Sequence, residues 1–264
     1  MLDKIAIGEE LFMFGYIFKK IRCLSLRNIN KFQDTISSKK NSEPISSELR
    51  KNLEVIKDIL RDSSDVTVHE FNFGHDRRFK GALVFINSMA DKEEIHKNIL
   101  QPLMYGTLLL KKDVDMDFTN IDTIRKNLIS ITDNQKVTLL SDLLDNLLEG
   151  ATVLLIDGSK EALAINSGKW ESRAIDEPAT EAIVRGPREG FNENANVSIA
   201  LIRRKIKVPD LCVEKFIIGD KSKTDVYVVY IKSVVNPKLI EEIRKRLNRI
   251  KIDAILESGY IEQF

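Results

Sequence analysis

Apolar residues recur at helical spacing from Ser46 onward, through Leu49, Leu53, Ile56, Ile59 and Leu60. This predicts a helix with Glu48 in its first turn, Ser46 or Ser47 as cap and Asp62-Ser63-Ser64-Asp65 as its end. Val66–Phe73 is rich in β-branched and aromatic residues and reads as a strand. A charged loop, residues 74–80, leads to the continuous apolar run 81–87, the pattern of a strand buried on both faces. Asp91, with Glu94 three positions on, predicts a capping box opening a helix through Ile95, Ile99, Leu100 and Leu103. Further helices are expected over Thr119–Ile131, through Ile121, Ile124 and Leu128, and over Leu139–Leu148, with Gly150 as its terminator.

After Gly150 the period changes to two. Residues 151–157 and 162–167 flank Gly158-Ser159-Lys160-Glu161 and predict a β-hairpin. Asn194–Lys205 reads as a helix, and a second hairpin joins Cys212–Ile218 to Val226–Val234. Asn236-Pro237 then supplies an N-cap and a first-turn proline for a helix carrying Leu239, Ile240, Ile243, Leu247 and Ile250. The pattern predicts an α/β protein of two small α/β subdomains with short mixed sheets, 45–140 and 141–264, joined by a connecting helix or linker. Residues 1–44, loosely patterned and rich in Ser, Lys and Asn toward their end, form an N-terminal arm. Its first twenty residues suit a helix laid on the body or contact with a membrane surface or partner.

Composition narrows the function classes. Of the 264 residues 43% are hydrophobic, enough for a core. Forty-one basic residues against 40 acidic ones leave a net charge of +1, which gives no field for nucleic acid. Cys23 and Cys212 match no metal spacing and suit a reducing compartment. No apolar run reaches the roughly 18 residues of a membrane span, and no signal peptide is evident, so a cytosolic-type chain is expected.

Phosphate-loop, dinucleotide and serine-nucleophile motifs are absent, and nothing else makes an enzyme. His69, His75 and Asp76 invite a zinc reading and Asp113, Asp115 and Asp117 a calcium or magnesium one. Neither has the full ligand spacing, and surface residues are the simpler expectation; no metal or cofactor is expected. The basic run Arg203, Arg204, Lys205 and Lys207 lacks aromatic platforms and reads as a helix end, or as a contact for anionic lipid. Trp170, the single tryptophan, is expected to anchor a core or interface.

One stretch is unlike the rest. Glu177, Pro178, Glu181, Arg185, Gly186, Pro187, Arg188, Glu189, Gly190, Phe191 and Glu193 crowd charges and turn formers into seventeen positions. Its arginines could pair with nearby glutamates to fix an irregular loop, with Phe191 as a core anchor. Equally, the loop could be a contact surface between units, subunits or a membrane domain. The two readings are compatible.

This run, with Arg173 before it and Ile199–Arg204 and Pro209-x-Leu211 after it, resembles the GerA-type spore germinant-receptor A subunits. The looser likeness covers roughly residues 46–264, including Leu148-Glu-Gly150, Asn236-Pro237 and Ser258–Glu262. The related SpoVAF-type proteins share much of the motif. The resemblance implies the N-terminal cytosolic domain of a receptor A subunit, taking part in nutrient germinant sensing and signal coupling. It further implies a membrane-spanning domain after residue 264, B and C receptor subunits as partners, an oligomeric receptor, and the core side of the spore inner membrane. The loop residues named above, with Arg203 and Arg204, become structural or interface candidates. An amino-acid or sugar germinant is at most a weak ligand of that loop. Alternatives are a stand-alone small-molecule binding module of two lobes and a SpoVAF-like accessory protein.

Overall fold

The computed structural model describes residues 43–60, 63–107, 117–168, 190–191 and 194–264. The N-terminal arm before residue 43, the metal candidates Asp113 and Asp115, and Trp170 lie outside them.

Helix α1 (Leu49–Ile59) forms where the periodicity placed it, but neither expected serine caps it. Glu48 occupies the N-cap position, and the Leu49 N–H is taken by Asp157 Oδ1 at 3.0 Å, 108 residues away. Ser46 is instead held by Asn52, whose Oδ1 accepts from the Ser46 N–H at 2.9 Å and whose Nδ2 donates to its carbonyl at 2.7 Å. A tertiary partner thus displaces a local cap.

Strands β1 (Val66–Phe73) and β2 (Phe79–Ile86) pair as a hairpin across a tight corner. In that corner Gly74, Asp76 and Arg77 all take positive φ. Helix α2 (Lys92–Ile95) starts at Asp91, whose Oδ1 accepts from the Glu93 and Glu94 N–H groups at 2.9 and 3.1 Å. It runs on through two π-helical turns, His96–Leu100 and Pro102–Gly106. Then come α3 (Ile121–Asn127), a short polar strand β3 (Asn134–Val137) and α4 (Leu140–Glu149). Gly150 closes α4 at φ +100, where a Cβ would meet Met89 Cε at 3.0 Å. A side chain at this left-handed stop would be strained.

Strands β4 (Thr152–Ile156) and β5 (Ala162–Ile165) follow, and the five strands make one sheet in the order β1-β2-β4-β5-β3. Among the described strands every pairing is antiparallel, in place of the expected mixed sheets. The apolar runs record burial on both faces, not parallel strands. Ala82, Val84, Val153, Leu155 and Ala164 pack under α1 and α4. Leu83, Phe85, Leu154, Leu163 and Ile165 pack against α2 and α3. The division expected at residue 141 therefore falls inside this sheet. The change of period at Gly150 marks passage from a covering helix into the sheet it covers.

The remaining elements are α5 (Ala195–Lys205), the hairpin of β6 (Leu211–Ile218) and β7 (Thr224–Ile231), α6 (Pro237–Leu247) and α7 (Gly259–Glu262). Here β6–β7 and α6 enclose a small separate core around Ile218, Leu247, Ile250 and Ile255. Arg244 pins α6 to the hairpin. Its Nε donates to Glu214 Oε2 at 2.8 Å, and its Nη2 donates to Glu214 and, at 3.3 Å, to the Tyr230 hydroxyl. Burial, then the hydrogen bond to Glu214, holds the Tyr230 hydroxyl well above the usual phenol range. Among the described residues no helix is long and apolar enough to cross a membrane.

Candidate functional site

The two parts of the molecule meet at Arg203. On α5 the buried residues are Ile199, Ala200, Leu201 and Arg203, so an arginine stands among apolar side chains. It is 1% exposed. Its planar fork closes on Asp65 in bidentate fashion, Nε to Oδ2 at 3.0 Å and Nη2 to Oδ1 at 2.8 Å. Nη2 also reaches Ser63 Oγ at 2.6 Å.

Ser63 passes the connection onward. Its hydroxyl accepts from the Val213 N–H at 3.1 Å and donates to the Leu211 carbonyl at 3.3 Å. Ser64 adds two bonds to the Val213 carbonyl, from its N–H and its hydroxyl, both at 2.7 Å. The Asp65 carbonyl holds the Asn87 N–H at 2.7 Å, tying in the end of β2. The turn between α1 and β1 is thus a knuckle joining the five-stranded sheet, α5 and β6. Arg203 Nη1 is buried without a hydrogen-bond partner among the described residues. The knuckle therefore tolerates no loosening that would strand the rest of the guanidinium.

Next to it lies a polar groove of about 550 Å³. Its floor comes from β3 and β5 (Asn134, Gln135, Ala164) and from Asn166, with Asp133 at the rim. One wall is the end of α4, with Asn146, Glu149 and Gly150; the other carries Arg204 and Lys207. Asn166 Nδ2 donates to Asp133 Oδ2 at 2.7 Å, the Gln135 amide donates to Asn146 Oδ1, and Lys207 Nζ meets Glu149 Oε1 at 3.0 Å. The lining offers carboxylates, cations and amides together. That set suits a small zwitterion or polyol, and one charged group alone would leave part of it unmatched.

The basic run, expected as a helix end or a contact for anionic lipid, is split. Arg203 points into the joint and Arg204 lines the groove. The charged loop candidates Glu177, Pro178, Glu181, Arg185, Gly186, Pro187, Arg188, Glu189 and Glu193 lie outside the described residues. Of that loop Gly190 and Phe191 are described. Phe191 is 57% exposed, so it does not serve as the expected core anchor. Loop and groove are neighbours along the chain, since residue 168 lines the groove and residue 169 begins the undescribed segment.

Asp65 and Ser63 were missed as site residues, having been read only as a helix end. The signal available was Arg203 itself, since an arginine on the apolar face of a helix demands a buried carboxylate. The histidines do not converge. His69 and His96 line a different cavity, of about 300 Å³, while His75 sits in the β1–β2 corner. No group of three metal-ligating side chains occurs among the described residues.

The family model described as Bacillus/Clostridium GerA spore germination protein matches residues 54–264. The spore germination protein GerLA of Bacillus cereus is 36% identical over 208 residues, 79% of this chain and 41% of that one. The uncharacterized membrane protein YfkQ of Bacillus subtilis is 37% identical over 221 residues, 84% of this chain and 41% of that one. The chain thus spans about two fifths of these curated relatives. Among solved structures, the N-terminal domain of the A subunit of the Bacillus megaterium spore germinant receptor GerK3 superposes with a TM-score of 0.63 at 30% identity. That superposition covers 84% of this chain and 79% of that one.

Proposed function

The chain belongs to the GerA family of Bacillus/Clostridium spore germination proteins, and from that membership we propose that it is the N-terminal domain of a germinant-receptor A subunit. The observation that carries this reading is the fold shared with such a domain over 84% of the chain. In this role the domain couples nutrient recognition to germination without covalent chemistry. Its partners are a membrane-spanning domain beyond residue 264 and receptor B and C subunits, at the core side of the spore inner membrane. Spores in which the gene for this chain is deleted should lose their optical-density drop in response to at least one nutrient class. An unchanged response to every amino acid and sugar tried would sink the reading.

The groove supports a second element of this reading, direct contact with a small polar germinant. Arg204 and Lys207 suit a carboxylate, while Asp133, Glu149 and the amides suit ammonium or hydroxyl groups. At a concentration 100 times Kd such a ligand stabilises the fold by ~2.7 kcal/mol, raising the melting temperature by about 5 °C. A thermal-shift series with amino acids and sugars should find this rise for one class, and Arg204→Ala should abolish it. No shift at millimolar ligand would remove the groove as a binding site and leave the coupling role standing.

A further inference from the structure

Two cavities, of about 530 and 230 Å³, share Glu54 and Asp58 and so form one track along the outer side of α1. The track begins at Glu43, the first described residue, where the arm joins the body. It passes Val55 and ends at Val66 and Val68 on β1. There the sheet is open, because β1 is the terminal strand and pairs only with β2 among the described strands. Its sequence, Val-Thr-Val-His-Glu-Phe-Asn-Phe, contains neither the lysine nor the proline that usually guards an eight-residue edge. A track that offers half-buried Val55, Val66 and Val68 between charged rims, and leads to main-chain groups unpaired among the described residues, is suited to receive chain.

The arm fits it. Residues 1–42 hold eight Lys and Arg against four Asp and Glu, while the track is lined by Glu43, Glu54 and Asp58 against Lys57, with Glu54 also meeting Arg50 at 2.9 Å and Lys57 meeting Glu70 at 3.7 Å. Leu11, Phe12, Met13, Phe14, Tyr16, Ile17 and Phe18 form the densest apolar cluster of the arm, with Lys19, Lys20 and Arg22 directly behind. Residues 27–42 reach at most about 50 Å, ample to bring that cluster back along a helix of three turns. The family match begins at residue 54, so the arm lies outside the shared region.

We propose that residues 11–22 fold back onto this track, seating their apolar side chains on Val55, Val66 and Val68 and their basic ones against Glu43, Glu54 and Asp58. The arm thereby covers the open edge of β1 and ties the start of the chain to the sheet that the Arg203 joint holds.

The native thiols make the test direct. Cys212 is buried, so Cys23 in the arm pairs only with a thiol introduced on the track. In the full chain carrying Glu54→Cys, a short bismaleimide should link residues 23 and 54 within one chain. The yield should be at least tenfold that of a Lys245→Cys control on α6, and Lys19→Glu with Lys20→Glu should cut it at least fivefold. Deletion of residues 1–42 should speed amide exchange at Val66–Glu70 at least fivefold while α4 is unchanged. Yield equal to the control overturns the proposal, as do links found only between chains or unaltered exchange at β1. Flotation with anionic phospholipid vesicles that depends on residues 1–42, without the internal link, would place the arm on lipid instead.

Discussion

Arg203→Ala should lower the melting temperature by about 10 °C, the largest effect expected of a single polar substitution in this chain. Removing one partner of a buried ion pair costs ~3–5 kcal/mol, because the other charge stays behind in a dry site. At roughly 2–4 °C per kcal/mol for a domain of this size, that is a shift read easily by calorimetry. The Asp65 carboxylate would lose both of its hydrogen bonds to Arg203, and Ser63 would lose one of the three hydrogen bonds that orient it toward β6. Amide exchange at Leu211–Val213 should accelerate more than exchange in α4. The double variant Asp65→Leu with Arg203→Met should regain most of the stability, since apolar replacement of both charges removes the stranded carboxylate. If the double variant is as unstable as the single one, packing around the pair, and not its charge balance, holds the joint. Spores carrying the recovered double variant then report on coupling alone.

Phe73→Ala should cost a similar ~3–5 kcal/mol by a different route, an unfilled cavity. Phe73 is 1% exposed and stands at the centre of an aromatic cluster. Its ring lies 5.8 Å from Phe71, 5.7 Å from Phe79 and 5.8 Å from Phe118, and Phe79 and Phe118 meet edge to face at 5.2 Å. Such pairs add about 0.5–1.5 kcal/mol each beyond the area they bury. The cluster fastens the β1–β2 corner, where consecutive non-glycine residues take positive φ, to the stretch before α3. Phe73→Leu should keep most of the stability. Exchange at Leu211–Val213 should stay near its starting rate when both variants are compared at equal stability, because this cluster lies on the other face of the sheet from α1 and α4. Equal destabilisation by leucine and alanine would show that ring geometry matters more than volume.

Much of the architecture was legible from spacing. Leu49, Leu53 and Ile56 gave α1, Asp91 the start of α2, Gly150 the end of α4 and Asn236-Pro237 the start of α6, because each signal is local and physically complete. Strand β3 was not legible. Asn134–Val137 buries only Val137, and an edge strand this short and polar has no period to read. The union of β1 to β5 in one sheet was hidden for another reason. Apolar runs report burial on both faces but are silent on which strand lies alongside. The joint was half legible, since Arg203 belonged to a recognised motif while Asp65 looked like the tail of a helix. The groove was invisible beforehand, as its four amides come from three separate segments and none carries a motif.

The Arg203–Asp65 bond links residues 138 positions apart. Closing a loop of that length in a free chain costs ~4 kcal/mol, more than a buried ion pair contributes net of its desolvation. The bond cannot therefore hold by itself. It forms once the sheet has fixed Asp65 and the later hairpin has fixed α5, which makes it a late event in folding. A ribosome-bound chain that has released the five strands but not residues 194–231 exposes an uncapped knuckle. The same dependence gives the finished domain a checkpoint, for Arg203 is buried only when both halves are correctly built.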